Sequence, residues 1–321
     1  MAEEVNTIRC KYCGENGVVK YGSYKGVPRY WCKICKRKFK VDNNPFNMRV
    51  PIEYISSALN MYYTGSSIDD IRDHFKQESG YYPSKHVIYN WIDKYTELAR
   101  EQFQDVKPKV GGEWQVDETV LWLDKKRKIW FFDCIDVRTK YLLASRPSRS
   151  RTTRDAQILI DRAIKTAGKE PRVIVTDKLP SYLDVRYGKD AEHRQGSPFK
   201  FKGTGESTAQ IERFHGTIKD RTKVMRAFRN FETMLQFMDG YLIYYNFFRP
   251  HEAFKSGKTP AEVAGIDYEI RNWRDLVKLP VPKEGKLHTN RTQTMPRITP
   301  KTPRITPPMP RISERVGRLK R

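Results

Sequence analysis

Pro171-Arg172-Val173-Ile174-Val175-Thr176-Asp177 opens the stretch that decides the fold, which runs on to Lys223. A short β-branched run ending on an acid predicts a buried strand with a carboxylate at its C-terminal tip. The stretch closes with Ile211-Glu212-Arg213-Phe214-His215-Gly216-Thr217-Ile218-Lys219. Ile211, Phe214, Ile218 and Met225 recur at helical spacing, so a helix over 208–223 buries that stripe. Glu212 lies off the stripe, in line with Lys219 and Lys223, whose ammonium groups are candidate phosphate contacts. A third acid, Asp117, sits in the strand-like run Trp114-Gln115-Val116-Asp117-Glu118-Thr119-Val120. Carboxylates from two strands and a helix can cage two hard divalent cations, since Mg²⁺ takes oxygen ligands and only a few carboxylates beside substrate phosphate. Glu206 and Glu118 compete for the third place. Glu206 falls in an expected loop, and a regular strand points Glu118 to the face opposite Asp117.

The spacing Asp117…Asp177-x34-Glu212, with Glu-Arg-Phe-His-x-x-x-Lys around the last acid, resembles the DDE transposase/integrase superfamily. Within it the chain is most similar to the prokaryotic insertion-sequence family numbered six. Trp114-x-x-Asp117-Glu118-Thr119, Asp136, Tyr245-Asn246-x-x-Arg249-Pro250-His251 and Thr259-Pro260-Ala261-Glu262 extend the match over roughly residues 1–266. One departure is Ser207-Thr208-Ala209-Gln210, where many relatives carry a pair of asparagines. The resemblance implies an α/β, ribonuclease H-like mixed-sheet catalytic domain over 111–267, with Asp117, Asp177 and Glu212 catalytic. It implies a transposase that cleaves the ends of an insertion sequence. The freed 3′-OH then attacks target DNA, with two Mg²⁺ or Mn²⁺ ions per site and a homo-oligomer assembled on the DNA.

Ahead of that domain, Cys10-x2-Cys13 and Cys32-x2-Cys35 stand 18 residues apart. Two thiolate pairs at that spacing predict one structural Zn²⁺ in a zinc ribbon over 1–42, with strands at Val18–Gly22 and Pro28–Trp31. Two disulfides are the alternative. Zinc is favoured because nothing signals export and so small a unit needs a staple to fold. Lys33, Lys36, Arg37, Lys38 and Lys40 surround the second knuckle, as phosphate contacts or as a solvated face. Cys134 stands alone in an apolar strand and reads as core.

Residues 51–104 carry three helical patterns, opened by Pro51, Ser67 and Ser84. They predict a helix-turn-helix whose third helix presents Lys85, His86, Tyr89 and Asn90 to bases. A plain helical bundle is the alternative, and 5 basic against 7 acidic residues in 51–100 give it weight. Residues 107–112 mark a boundary. Strands follow at 113–123, 128–137 and 140–146, then a helix near 152–167. Arg146, Arg149, Arg151 and Arg154 cluster after the third strand. Arg149 and Arg151 are the candidate contacts to the DNA backbone. Residues 192–207 read as a loop over the site, 231–248 as a covering helix, and Arg249 with His251 as a structural turn.

The 321 residues carry a net charge of +23, which calls for a polyanionic partner, with DNA the first candidate. No apolar run is long enough to cross a membrane, and a cytoplasmic, nucleoid-associated protein is expected. Residues 280–321 hold eight prolines, 11 basic and 2 acidic residues, and three copies of a unit such as Met295-Pro-Arg-Ile-Thr-Pro-Lys. They read as a disordered basic tail. Two rival readings are a domesticated DNA-binding regulator, which would leave its acids free to decay, and a structure-selective nuclease.

Overall fold

The computed structural model describes residues 8–41, 44–45, 48–124, 127–197, 206–225, 228, 230–255 and 257–279. The expected basic tail lies outside them. Three antiparallel strands come first: β1 (Val18–Tyr24), β2 (Val27–Cys32) and β3 (Lys38–Lys40), in that order. The third strand went unpredicted. At three residues it is too short for a periodic signal, and it exists by pairing Trp31 with Lys38 and Tyr30 with Phe39.

Three helices follow, α1 (Ile52–Thr64), α2 (Ile68–Ser79) and α3 (Lys85–Phe103). Their starts are set by local chemistry. The Ser67 hydroxyl accepts from Asp70 N–H while the Asp70 carboxylate accepts from Ser67 N–H, which satisfies two donors at the α2 terminus at once. Ser84 accepts from Val87 N–H at the start of α3. The apolar stripes meet as the periodicity predicts, with Ile55, Leu59, Ile71, Ile88, Trp91 and Tyr95 all buried.

The larger sheet contains β4 (Glu113–Trp122), β5 (Lys128–Asp136), β6 (Leu142–Ser148), β7 (Val173–Thr176), β8 (Glu192–Ser197) and β9 (Glu206–Ser207). Its order is β6-β5-β4-β7-β8-β9. The first three strands run antiparallel, and β7, β8 and β9 join β4 in parallel. This is the mixed sheet that the ribonuclease H-like resemblance implies. Central β4 is buried without interruption from Trp114 to Asp117, as a strand covered on both faces must be. The segment 192–207 is corrected in part: its ends are β8 and β9, held by backbone pairing to β7 rather than by apolar patterning, while 198–205 lie outside the described residues.

Helix α4 (Thr153–Ala167) returns the chain from β6 to β7, and α5 (Ala209–Lys223) leaves β9. Then α6 (Phe231–Ile243) runs into one π-helical turn at Tyr244–Phe248, and α7 (Pro260–Val263) and α8 (Trp273–Lys278) complete the described chain. Among the described residues no helix is long and apolar enough to cross a membrane.

Helices α1–α3 and the sheet share one continuous apolar core. The stretch 107–112 is tied down as well: Lys109 N–H donates to Ala264 O at 2.7 Å and Gly111 N–H to Asp136 Oδ1 at 2.8 Å. The tightest approach is at Gly240 of α6, where a Cβ would stand 1.9 Å from Tyr63 Oη of α1. Tyr63 cannot yield readily, because its hydroxyl is 2.7 Å from Thr96 Oγ1 and its ring stacks on Trp273 of α8 at 5.0 Å. Gly240→Ala is therefore expected to cost about 1–3 kcal/mol by overpacking, read as a lowered midpoint in thermal unfolding. Gly216→Ala, where nothing stands within 4 Å of the added carbon, is the control and should not destabilise.

Candidate active site

Asp117 lies on the central strand, directly opposite Asp133 of β5. Both are buried, Asp133 completely. Like charges facing each other across a ladder repel, and burial strengthens the repulsion. The structure resolves it with His215 of α5, itself 2% exposed. Its Nδ1 is 3.4 Å from Asp117 Oδ2 and its Nε2 is 3.1 Å from Asp133 Oδ2. Burial alone would lower the imidazole pKa, but the bonds to Asp117 and Asp133 outweigh it and push it up to about 9. At neutral pH the ring is then a cation donating from both nitrogens. Sequence reasoning assigned His215 no role. Its position three residues after Glu212 was the available signal, since that spacing puts both on one flank of a helix.

A second residue fastens α5. Gln115, two positions before Asp117 on β4 and so on the same face of the strand, is buried. Its Oε1 accepts from Gln210 N–H and Ile211 N–H, each at 3.1 Å, and its Nε2 donates to Ser207 O. The first turn of a helix has N–H groups without partners, and here a side chain from the sheet satisfies two of them. Thr208, at the cap position, contributes no side-chain bond. Strand β4 thus holds both ends of the turn that carries Glu212.

The three expected acids converge on Asp117. Asp177 follows the tip of β7, as its sequence predicts, and Leu179 N–H donates to its Oδ1 at 2.9 Å. One group of ligand atoms within 4.8 Å of one another comprises Asp117, Glu118 and Asp177; in a second, Asp117 and Glu212 stand together with His215, whose protonated ring offers no lone pair and leaves the two carboxylates as the ligands. Asp117 belongs to both. Burial, with Asp117 nearby, raises the pKa of Asp177 and of Glu212. A site that penalises its own negative charges is one a divalent cation stabilises. Oxygens this close fit ions with metal–oxygen distances of about 2.1 Å, and an acid common to two groups suits a ligand shared between two ions.

Glu118 lies on the face opposite Asp117, as alternation predicts: it pairs in the ladder with Phe132, whose ring meets that of Tyr182 at 6.4 Å. Strand β7 pairs with β4 only as far as Val116, and beyond that point a Glu118 carboxylate oxygen still comes within 4.8 Å of ligand atoms of Asp117 and Asp177. There Tyr182 Oη donates to its Oε2 at 2.6 Å and Arg151 pairs with its Oε1. Arg151 also lies 4.2 Å from the Trp130 ring centroid, so this candidate DNA contact is already engaged. Arg146 is engaged too, 2.8 Å from Asp155 Oδ1 at the start of α4. Burial would raise the Asp155 pKa, but Arg146, Ser150, Thr152 and Ser148 together hold it well below the usual carboxylate range. Arg149 and Arg154 remain exposed, as do Lys219 and Lys223 on α5. The side chain of Glu206 lies outside the described residues.

Away from this centre, Lys85, His86, Tyr89 and Asn90 are all exposed on the first turns of α3. Lys85 Nζ is 2.6 Å from Asp69, and His86 is 3.2 Å from Asn90. In the ribbon the four thiols of Cys10, Cys13, Cys32 and Cys35 gather within 4.8 Å of one another. The nearest pairs, Cys10–Cys35 at 3.5 Å and Cys13–Cys32 at 3.6 Å, are too far apart for disulfides. They suit sulfurs around one tetrahedral ion at about 2.3 Å. Tyr12 N–H and Cys35 N–H point at Cys10 Sγ and Cys32 Sγ, which stabilises thiolates. Cys134 is fully buried and apart from them.

His215→Ala should destabilise the fold by about 3 kcal/mol or more, because it strands two buried carboxylates face to face. Gln115→Met keeps the volume and loses only the helix cap, so about 1 kcal/mol is expected. Denaturant unfolding of the two variants checks both the sign and the order. For the ribbon, freshly purified reduced protein should carry one zinc per chain by metal analysis, and Cys10→Ser should lose it.

The sequence matches known proteins over this region. Residues 111–251 match a family model described as a DDE domain. A curated relative from Methanobrevibacter smithii, an insertion element ISM1 uncharacterized 48.3 kDa protein, is 25% identical over 217 residues, which is 60% of this chain. The chain spans 52% of that relative's length. Among solved structures, the HTLV-2 integrase catalytic core domain in complex with magnesium aligns at 20% identity with a TM-score of 0.37, over 50% of this chain and 98% of its own. The simian T-cell lymphotropic virus intasome aligns at 15% identity with a TM-score of 0.38, over 77% of this chain and 80% of its own. Asp117, Asp177 and Glu212 all fall inside the stretch that matches the DDE-domain model.

Proposed function

We propose that the protein is the DNA transposase of an insertion sequence, in the family numbered six, acting by two-metal phosphoryl transfer. The observation that carries this reading is Asp117, buried on the central strand and shared between one ligand group with Asp177 and another with Glu212. Bound Mg²⁺ or Mn²⁺ supplies Lewis acidity to the attacking and leaving oxygens of an in-line displacement. The chain's part is to hold the oxygens. Asp117 is fixed by His215, Asp177 by the Leu179 N–H, and Glu212 by the helix that Gln115 and His215 fasten to the sheet. An exposed Glu212 stands where a DNA strand can reach it, with Lys219 and Lys223 further along the same helix face.

DNA is recognised, in this reading, by modules outside the catalytic domain. The exposed Lys85, His86, Tyr89 and Asn90 read base edges from α3, and the zinc ribbon and Arg149 hold the backbone. The protein works as a homo-oligomer that brings two element ends together.

Asp117→Ala, Asp177→Ala and Glu212→Ala should each abolish cleavage and 3′-OH strand transfer on DNA bearing the element ends, with Mg²⁺ or Mn²⁺ supplied. Any double variant should be little worse than a single one, because the ions act as a unit. DNA binding should survive, since removing a negative charge beside the backbone does not repel phosphate. Full activity in Glu212→Ala would remove it from the ligand set and leave Glu118 as the third acid.

A further inference from the structure

A cavity of about 230 Å³ opens on the Arg213 flank of α5, lined by Arg213, Lys140, Arg249 and His251 among others. Its only acid is Glu252. Three cations therefore converge from three separate parts of the chain: the β5–β6 turn, the helix of the third acid, and the turn after the π-helical segment. They are close enough to repel. Besides burial, which acts first, Arg249, Lys140 and Arg213 all disfavour a charge on His251, against Glu252; on Lys140, after burial, Asp136 and Glu113 favour the charge and Arg213 disfavours it. Among the described residues no side-chain bond joins Arg213 or Arg249 to an acid. Lys140 Nζ gives one bond, 2.6 Å to Val137 O, which leaves its other donors for the cavity.

The backbone carries a second mark. Lys140 has φ 58°, a left-handed conformation that glycine or asparagine adopts at much lower cost. Mutual repulsion and unpaired guanidinium groups share one remedy, which is an anion in the cavity.

We infer that this cavity binds a phosphodiester of the DNA backbone, as a clamp that holds the strand along α5. This rests on the transposase reading and deepens it. The ligand class follows from the donors. Arginine forks and a lysine suit the paired oxygens of a phosphate.

Lys140→Gly and Arg249→Gln test the clamp, alone and together. Binding of a short duplex of arbitrary sequence, without Mg²⁺, is followed by fluorescence anisotropy across a salt series, with thermal unfolding in parallel. Each single variant should weaken binding roughly tenfold for every sequence, and the pair should flatten the log–log salt slope by about one. Lys140→Gly should melt no lower than the parent, because it relieves the φ 58° backbone. Parent-like affinity and slope in both variants would overturn the clamp while leaving the transposase reading intact. So would affinity losses that only track lower melting temperatures. Inorganic phosphate that stabilises the parent but not Arg249→Gln, with an unchanged DNA slope, would make the cavity a free-anion site and overturn it as well. A parent protein that binds no duplex at any salt would sink the transposase reading and the clamp together.

Discussion

Two carboxylates placed opposite one another on adjacent buried strands are the constraint on which the rest of the catalytic domain depends. Two buried carboxylates facing each other repel unless a partner between them offsets the repulsion. For Asp117 and Asp133 that partner is His215, 3.4 Å from one and 3.1 Å from the other. The ring can occupy that place only if α5 lies across β4 and β5, so neutralising the strands also positions the helix. Glu212, three residues earlier, is carried into range of Asp117 as a result. Gln115 adds a second anchor at the helix start, and the same strand presents Gln115 and Asp117 on one face. The geometry between the first and third acids is thus fixed within one strand and one helix turn, with no loop between them.

Much of this was legible in the residues. The strand ending in Asp177, the stripe of Ile211, Phe214 and Ile218, and the Ser67 and Ser84 caps each follow from local chemistry, and the structure shows them where the patterns put them. What escaped notice is non-local. His215 reads as one more polar residue on a helix until Asp133 is known to lie opposite Asp117, and that register comes from pairing two strands. Gln115 looked like a strand residue of no consequence, yet it caps a helix 95 positions later. Glu118 keeps the face that alternation gives it, yet its carboxylate comes within reach of the Asp117 and Asp177 oxygens, where the neighbouring strand stops pairing at Thr176. Strand β9 is two residues long and owes its existence to its partner.

The arginines after β6 teach the same point about charge. As a sequence, Arg146, Arg149, Arg151 and Arg154 are a uniform basic cluster. In the structure Arg146 serves the Asp155 cap network, Arg151 holds Glu118 beside the acids, and Arg149 and Arg154 stay on the surface. Basic residues that face nucleic acid and those that tie down acids are alike in composition. Only their partners separate them.

The stacking of Trp273 on Tyr63 has a consequence for how the molecule is made. Helix α1 is among the first elements to leave the ribosome, and the ring that covers it belongs to one of the last described. Until Trp273 emerges, one face of Tyr63 and the neighbouring aromatic surface lack their lid, and the α1–α3 layer can form only a loose intermediate. Contacts spanning so much of the chain slow folding and prolong exposure of sticky surface. The final packing of the α1–α3 layer therefore waits on the α8 segment, however early its own helices form.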